Sequence, residues 1–207
     1  MYKNLYVGID PSMNSTGVCT LVTDLDGSII EDRFYIIKNG KLSRKETKAE
    51  LDNIDKFSYV LLERKSNGDD NHESELFKTL YFMEVVSSII EIINTTNYRF
   101  GRFCNIFVCI EGISYGSSHT RSVFDLAGLN YMIRSGVLKS SAGNTIELIV
   151  GTPGEIKKFS TGKGNSAKDI VVSCFKAIYP DLSLPKLDDI ADAYFMAQYI
   201  KKLKENN

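Results

Sequence analysis

Two short apolar runs, far apart in the chain, each stop on a carboxylate. Leu5 to Ile9 is followed by Asp10, and Asn105 to Ile110 is followed by Glu111. Length and composition predict a buried strand for each. A buried strand gains nothing from ending in an acid unless that acid meets a cation or a solvated cleft. Acids at strand ends are often plain loop residues, so each one alone is more often structural than functional. Both together constrain the fold to one that gives two strand ends a common purpose.

The remaining elements fit around these strands. Gly17 to Thr23 is an apolar, β-branched run, Asp26-Gly27 signals a turn, and Ser28 to Lys38 reads as a third strand. Asn39-Gly40 closes this three-strand meander. The polar stretch 41–72 is an insertion or variable segment, with an apolar patch at Tyr59 to Leu62; a helix is expected in its middle and a loop over Ser66 to His72. From Glu73 to about Asn94, Leu76, Leu80, Met83, Val86, Ile89, Ile90 and Ile93 recur at helical spacing and predict a core-facing helix. After Glu111 come a Gly/Ser loop (Gly112 to Ser118), a helix from Arg121 to about Ser135, and a strand from Thr145 to Val150. A short helix from Pro153 to Phe159 leads into a Gly/Lys loop, Ser160 to Asn165. Ser166 with Asp169 resembles a capping box opening a helix that ends before Pro180. The last helix, Leu187 to Leu203, turns Ile190, Tyr194, Ala197 and Ile200 inward. A meander followed by alternating strands and helices predicts an α/β fold. It is expected to be one domain over 1–207, with a mixed five-stranded sheet and helices on both faces.

Composition narrows the setting. With 207 residues, 43% hydrophobic and 25% charged, the chain has material for one sizeable core. No apolar stretch is long enough to span a bilayer, so no membrane association is expected. The first apolar run already contains Gly8 and Asp10, which is not a signal-peptide layout. Cys19, Cys104, Cys109 and Cys174 form no C-x-x-C pair, and His72 and His119 are the only histidines. That argues against zinc and for a reducing, cytoplasmic setting. The net charge of −1 argues mildly against nucleic-acid binding. A carboxylate cluster would mask a local basic face.

The last helix opens with Asp188, Asp189 and Asp192. Acids in a first turn favour the helix dipole, which is the structural reading. However, Asp189 and Asp192 share a helix face, and Asp192 lies among apolar residues. Together with Asp10 and Glu111 they predict one site. Hard oxygen donors suit magnesium, and two such ions roughly 3.5–4 Å apart support phosphodiester hydrolysis. Lys157, Lys158, Lys163 and Lys168 surround Gly162-Lys163-Gly164, where small residues and a following helix could receive a phosphate. No Gly-Lys-Ser/Thr triplet stands there, so this is no nucleotide-binding P-loop and no nucleotide cofactor is expected.

The ordered set of motifs resembles the RuvC family of Holliday-junction resolvases. Gly8-Ile9-Asp10-Pro11-Ser12 with Thr16-Gly17 resembles its first motif, and Ile110-Glu111 its second. Pro153 through Lys157, then Gly162-x-Gly164 and Lys168, resembles its lysine-bearing stretch, with the same eleven-residue step between lysines. Asp189-Ile190-Ala191-Asp192-Ala193 resembles the closing D-x-x-D-A element. The resemblance implies an RNase H-like fold, a homodimer, and paired nicking of four-way DNA junctions with two Mg²⁺ ions per site, or Mn²⁺ in their place. It assigns metal binding to Asp10, Glu111, Asp189 and Asp192, and places Lys157 and Lys168 near the scissile phosphate. Asp188 has no family counterpart. The family's aromatic wedge falls at Ser114, with Tyr115 next door able to stack on a base. Arg121 is a candidate phosphate contact, and His119 reads as a surface residue. The long 41–72 segment and the altered stretch after Glu111 look more like phage and poxvirus resolvases than bacterial ones, which implies the cytoplasm of a phage's or virus's host cell, or else of a bacterium.

Other readings fit less well. Proofreading exonucleases carry Asp-x-Glu where this chain has Asp10-Pro11-Ser12. Sugar kinases and actin-like ATPases need a duplicated domain. A catalytically silent DNA-binding or interaction module is the alternative from a different class, and it has no physical need for four converging acids.

Overall fold

A computed structural model describes residues 4–40, 55–62, 71–101, 103, 105–113, 120–140, 145–184 and 186–206; for residues 39, 71, 72 and 120–122 it describes the backbone alone. The strands are β1 (Asn4–Asp10), β2 (Ser15–Thr23), β3 (Ile29–Asn39), β4 (Phe57–Leu62), β5 (Asn105–Glu111) and β6 (Thr145–Gly151). The helices are α1 (Asn71–Arg99), α2 (Thr120–Lys139), α3 (Pro153–Thr161), α4 (Lys168–Ile178) and α5 (Leu187–Glu205). No helix among the described residues is long and apolar enough to cross a membrane.

The strands form one mixed sheet in the order β4-β3-β2-β1-β5-β6. The expected meander is present: β1 and β2 are antiparallel, as are β2 and β3. β5 runs parallel to β1, and β6 parallel to β5. The sheet has six strands rather than the expected five. The extra one is β4, which covers the apolar patch at Tyr59 to Leu62 and lies parallel to β3. Its aromatic and aliphatic run of six residues is too short to make a stable helix but long enough to extend a sheet. The helix expected in the middle of 41–71 otherwise falls outside the described residues.

Side-chain alternation along the strands divides the core in two. Leu5, Val7, Ile9, Val18, Ile106, Val108 and Ile110 face α1 and α2. Tyr6, Cys19, Leu21, Phe34 and Cys109 face the opposite layer, where α5 lies against the sheet and α3 and α4 pack beside it. α1 is longer than its sequence pattern indicated, and its buried face is Phe82, Val85, Ile89, Ile92 and Ile93. Leu76, Leu80 and Met83, expected in the core, are instead exposed on a second stripe pointing away from the sheet.

α5 sits on the sheet at van der Waals distance because the strands beneath it lack side chains at two points. A Cβ on Gly8 would lie 1.9 Å from the Ala193 carbonyl oxygen, and one on Gly17 would lie 2.4 Å from that of Asp189. Neither clash can be relieved by rotating a side chain, since both obstacles are backbone. Gly8→Ala is therefore expected to destabilise the fold by roughly 3 kcal/mol, at the upper end of overpacking costs. Urea unfolding checks this, and a wild-type midpoint would contradict the contact.

Candidate active site

Strand parity places the two strand-end acids. Asp10 follows Tyr6 and Gly8 on the α5 side of β1, and Glu111 follows Phe107 and Cys109 on the same side of β5. The parallel register pairs Ile9 with Ile110, so Asp10 and Glu111 end adjacent strands side by side. Beyond Glu111, the Gly112 amide donates to the Gly151 carbonyl at 2.8 Å. Asn130 of α2 donates through Nδ2 to the Glu111 carbonyl at 2.7 Å. This strand end is thus fixed from both sides.

α5 brings the other acids over them. The chain enters the helix through Lys186 in the left-handed region (φ 54°), and Asp188 and Asp189 occupy the first turn. Because α5 rests on Gly17 and Gly8, its first turns meet the ends of β1 and β2. Ser15 Oγ donates to Asp189 Oδ2 at 2.6 Å. Ser15 and Asp189 are both buried.

Crowding of like charge in a desolvated site is evident in the titration behaviour. Burial pushes Asp10 well above the usual carboxylate range, and the charges of Glu111, Asp192 and Asp189 push the same way. Burial also raises Glu111, against opposing pulls from its hydrogen bond with Asp10 and from Lys168 and Lys157. Asp192 is pushed up to about 6, mainly by burial, with Lys168 opposing. Asp189 is raised by burial despite the hydrogen bond from Ser15. Four acids from three elements therefore act on one another as a single set.

Among the described residues, the cation within ion-pair distance of them is Lys168, the first residue of α4. Its Nζ lies 3.0 Å from Asp188, 3.7 Å from Asp192 and 3.9 Å from Asp189. Burial disfavours its charge, but the Asp188 hydrogen bond and the charges of Asp192, Asp188 and Asp10 outweigh burial and raise it. α4 is anchored at its far end as well, where Tyr179 donates its hydroxyl to buried Asp32 of β3, itself ion-paired to Lys56.

The Gly/Lys loop between α3 and α4 is built differently from its sequence reading. Ser166 and Asp169 do not form a capping box: Ala167 is the N-cap residue of α4 and makes no side-chain cap. Ser166 Oγ instead lies 2.6 Å from Thr161 Oγ1 and donates to the Lys163 carbonyl. A serine hydroxyl committed to closing this turn, one residue before the N-cap, is not placed to accept from the first amides of the helix. The capping box is one helix earlier, between Thr152 and Glu155 of α3. Gly162 ends α3 in the left-handed region (φ 81°), and Gly164 packs against the Gly154 backbone. The glycines thus serve the turn and its close packing. Lys157 is half-buried and acts electrostatically on Glu111, whereas Lys158 and Lys163 are exposed. None of these three makes an ion pair among the described residues. Tyr115 and His119 lie outside the described residues, as does the side chain of Arg121.

Sequence reasoning missed three participants: Ser15, Asn130 and the close tie of Asp188 to Lys168. A polar residue inside an apolar helical pattern was the available signal for Asn130. Nothing local marks Ser15, whose partner is 174 residues away.

As the side chains lie, no three His, Cys, Asp or Glu among the described residues form a ready grip for an ion, and Lys168 is the cation of the cluster. The donor chemistry still fits a hard divalent ion. The set is all carboxylate oxygen, two of its members (Asp10 and Asp189) are buried, and their mutual repulsion favours an added positive charge. Cys109, two residues before Glu111, is a packing residue whose thiol burial pushes up to about 12. Removing the Ser15 hydroxyl leaves a buried carboxylate oxygen without its donor. Ser15→Ala is expected to cost about 2 kcal/mol at pH 7, the usual range for a hydrogen bond to a charged group. Chemical denaturation measures it, and an unchanged midpoint would show that the bond does not hold Asp189.

No family model and no curated protein sequence matches the chain. Solved structures do. Thermus thermophilus RuvC superposes with a TM-score of 0.54 at 14% identity, over 99% of this chain and 96% of that one. The same protein in complex with Holliday junction substrate gives 0.52 at 13% identity, over 95% and 91%. The yeast mitochondrial Holliday junction resolvase Ydc2 gives 0.47 at 12% identity, over 99% and 82%. The chain has the RNase H-like fold in the form seen in RuvC, along nearly its whole length.

Proposed function

We propose that this chain is a divalent-metal-dependent DNA endonuclease that selects branched DNA, four-way junctions foremost, and resolves them by paired nicking. The observation that carries this reading is the meeting of Asp10, Glu111, Asp189 and Asp192 at one end of the sheet, with Lys168 and Lys157 facing them. The RuvC fold supports it, since a RuvC of this fold has been solved with a Holliday junction. Asp10, Glu111, Asp189 and Asp192 would hold two Mg²⁺ ions, with Mn²⁺ able to substitute. Such ions, when bound, supply activation of the attacking water and neutralisation of charge at the phosphodiester.

The chain's own groups do the rest. Ser15 occupies one oxygen of Asp189 and leaves Oδ1 toward the cluster, where Lys168 lies. Asn130 fixes the carbonyl of Glu111 and so the end of β5. Lys168 and Lys157 offset the charge of the scissile phosphate region, and Lys158 and Lys163 reach flanking phosphates from the exposed side of α3 and its loop. Tyr115 stacking on an unpaired base and Arg121 contacting a phosphate complete the proposed interface.

Two symmetric cuts need two sites, so the active form is a homodimer. Its natural surface is the outer face of α1 and α2. Leu76, Leu80 and Met83 on α1 are exposed there, as are Phe124, Tyr131 and Leu138 at seven-residue intervals on α2. A heptad-spaced apolar seam suits packing against its own copy.

The deciding experiment is cleavage of a labelled mobile four-way junction with Mg²⁺ or Mn²⁺, beside linear duplex and a three-way branch. Paired symmetric nicks restricted to the junction are expected. Equal cutting of every branched form would point to a general debranching nuclease, and binding with no metal-dependent cutting to a silent module. Asp10→Asn should bind the junction and fail to cut it. A carboxyl whose pKa is raised on folding opposes folding when ionised, so removing its charge at pH 7 favours the native state. Asp10→Asn should therefore melt at a higher temperature than wild type in buffer free of divalent ions. A lower melting temperature would contradict the repulsion inferred at this site.

A further inference from the structure

We infer that Lys168 is a built-in competitor of the divalent ion, and that Asp188 is the positioning residue that holds Lys168 aside when the ion enters. The inference rests on the reading of the carboxylate cluster as a metal site.

The geometry behind it is a graded one. Lys168 Nζ is within hydrogen-bonding distance of Asp188 alone, at 3.0 Å, yet it is still near Asp192 at 3.7 Å and Asp189 at 3.9 Å. The three carboxylates also differ in depth. Asp188 is 43% exposed at the lip of the site, Asp192 is 20% exposed, and Asp189 is 11% exposed beneath the helix. One ammonium thus straddles an outer acid and two inner ones. The inner pair belongs to the proposed metal set, whereas Asp188 does not.

A magnesium-sized ion needs oxygen ligands at about 2.0–2.1 Å in a nearly octahedral shell. An ammonium less than 4 Å from the same oxygens cannot keep its place, because it is repelled by the ion and occupies part of its shell. It has one direction in which to go. The backbone at the start of α4 is held by the Thr161–Ser166–Lys163 bonds, so the movement falls to the flexible side-chain stem. Outward motion keeps the Asp188 contact and gives up Asp189 and Asp192. Asp188 thereby lowers the cost of displacing Lys168.

The same motion turns the ammonium toward the solvent side, from which a DNA phosphate would approach. A phosphate that draws Lys168 outward leaves the inner acids to the ion, and an ion that expels Lys168 offers it to the phosphate. Metal and DNA binding are then coupled, with each strengthening the other to the same degree.

The test is Mn²⁺ binding by the full-length protein without DNA, followed by electron paramagnetic resonance of the free ion. Wild type is compared with Lys168→Met, Asp188→Asn and the double variant, with thermal melting to confirm that each is folded. Lys168→Met is expected to bind Mn²⁺ about five- to tenfold more tightly, the lower range of coupling between interacting sites. Asp188→Asn is expected to bind more weakly than wild type, and this loss should vanish when Lys168 is already Met. Mn²⁺ binding that is unchanged or weakened in Lys168→Met overturns the competition while leaving the metal site intact. An Asp188→Asn loss that persists in the double variant assigns Asp188 a simple charge effect and overturns its positioning role. Absence of Mn²⁺ binding in all four folded proteins overturns both the inference and the metal-site reading beneath it.

Discussion

Everything at this site depends on how closely α5 approaches the sheet. Gly8 and Gly17 lie on adjacent antiparallel strands and both present bare backbone to the helix, at Ala193 and Asp189 respectively. Ordinary side chains at those positions would lift α5 away from the strands. The acids of its first turns would then no longer reach Asp10. The small residues Ala191, Ala193 and Ala197, all buried, serve the same close approach from the helix side. Fold and site share one contact.

That contact carries an electrostatic cost. Burial raises the pKa of Asp10, Glu111, Asp189 and Asp192, and repulsion within the set adds to it at Asp10 and Asp192, so the folded protein holds charge it would not choose for stability. Three features offset part of this: the hydroxyl of Ser15, the ammonium of Lys168, and the influence of Lys157 on Glu111. The positive groups come from α3 and α4, which are joined by the hydrogen-bonded 161–166 turn and both pack against α5, the helix that carries Asp189 and Asp192. An overall charge of −1 conceals this local separation.

Much of this was legible in the chain because it depends on local periodicity. A strand that ends in an acid fixes which face the acid takes, and two such strands in parallel register place their acids together. The three-residue spacing of Asp189 and Asp192 sets them on one helix face. What escaped reading depends on long-range partners. The Ser15 hydroxyl looks like any turn serine until α5 is placed above it. Ser166 and Asp169 match a capping pattern, but Ser166 is taken by Thr161, five residues back. β4 was hidden by its polar surroundings, since a six-residue run declares itself a strand only when β3 offers an edge to pair with. Leu76, Leu80 and Met83 follow helical spacing as well as the true core stripe does, so periodicity alone could not tell which stripe faces the sheet.

Whether these carboxylates act together as one metal-binding centre is open to direct observation. The most direct measurement is an anomalous difference map from crystals of the protein soaked in Mn²⁺. Manganese peaks coordinated by Asp10 and Glu111 together with Asp189 or Asp192 are expected. Crystals that cut junction DNA while showing no manganese at these side chains would contradict a shared centre.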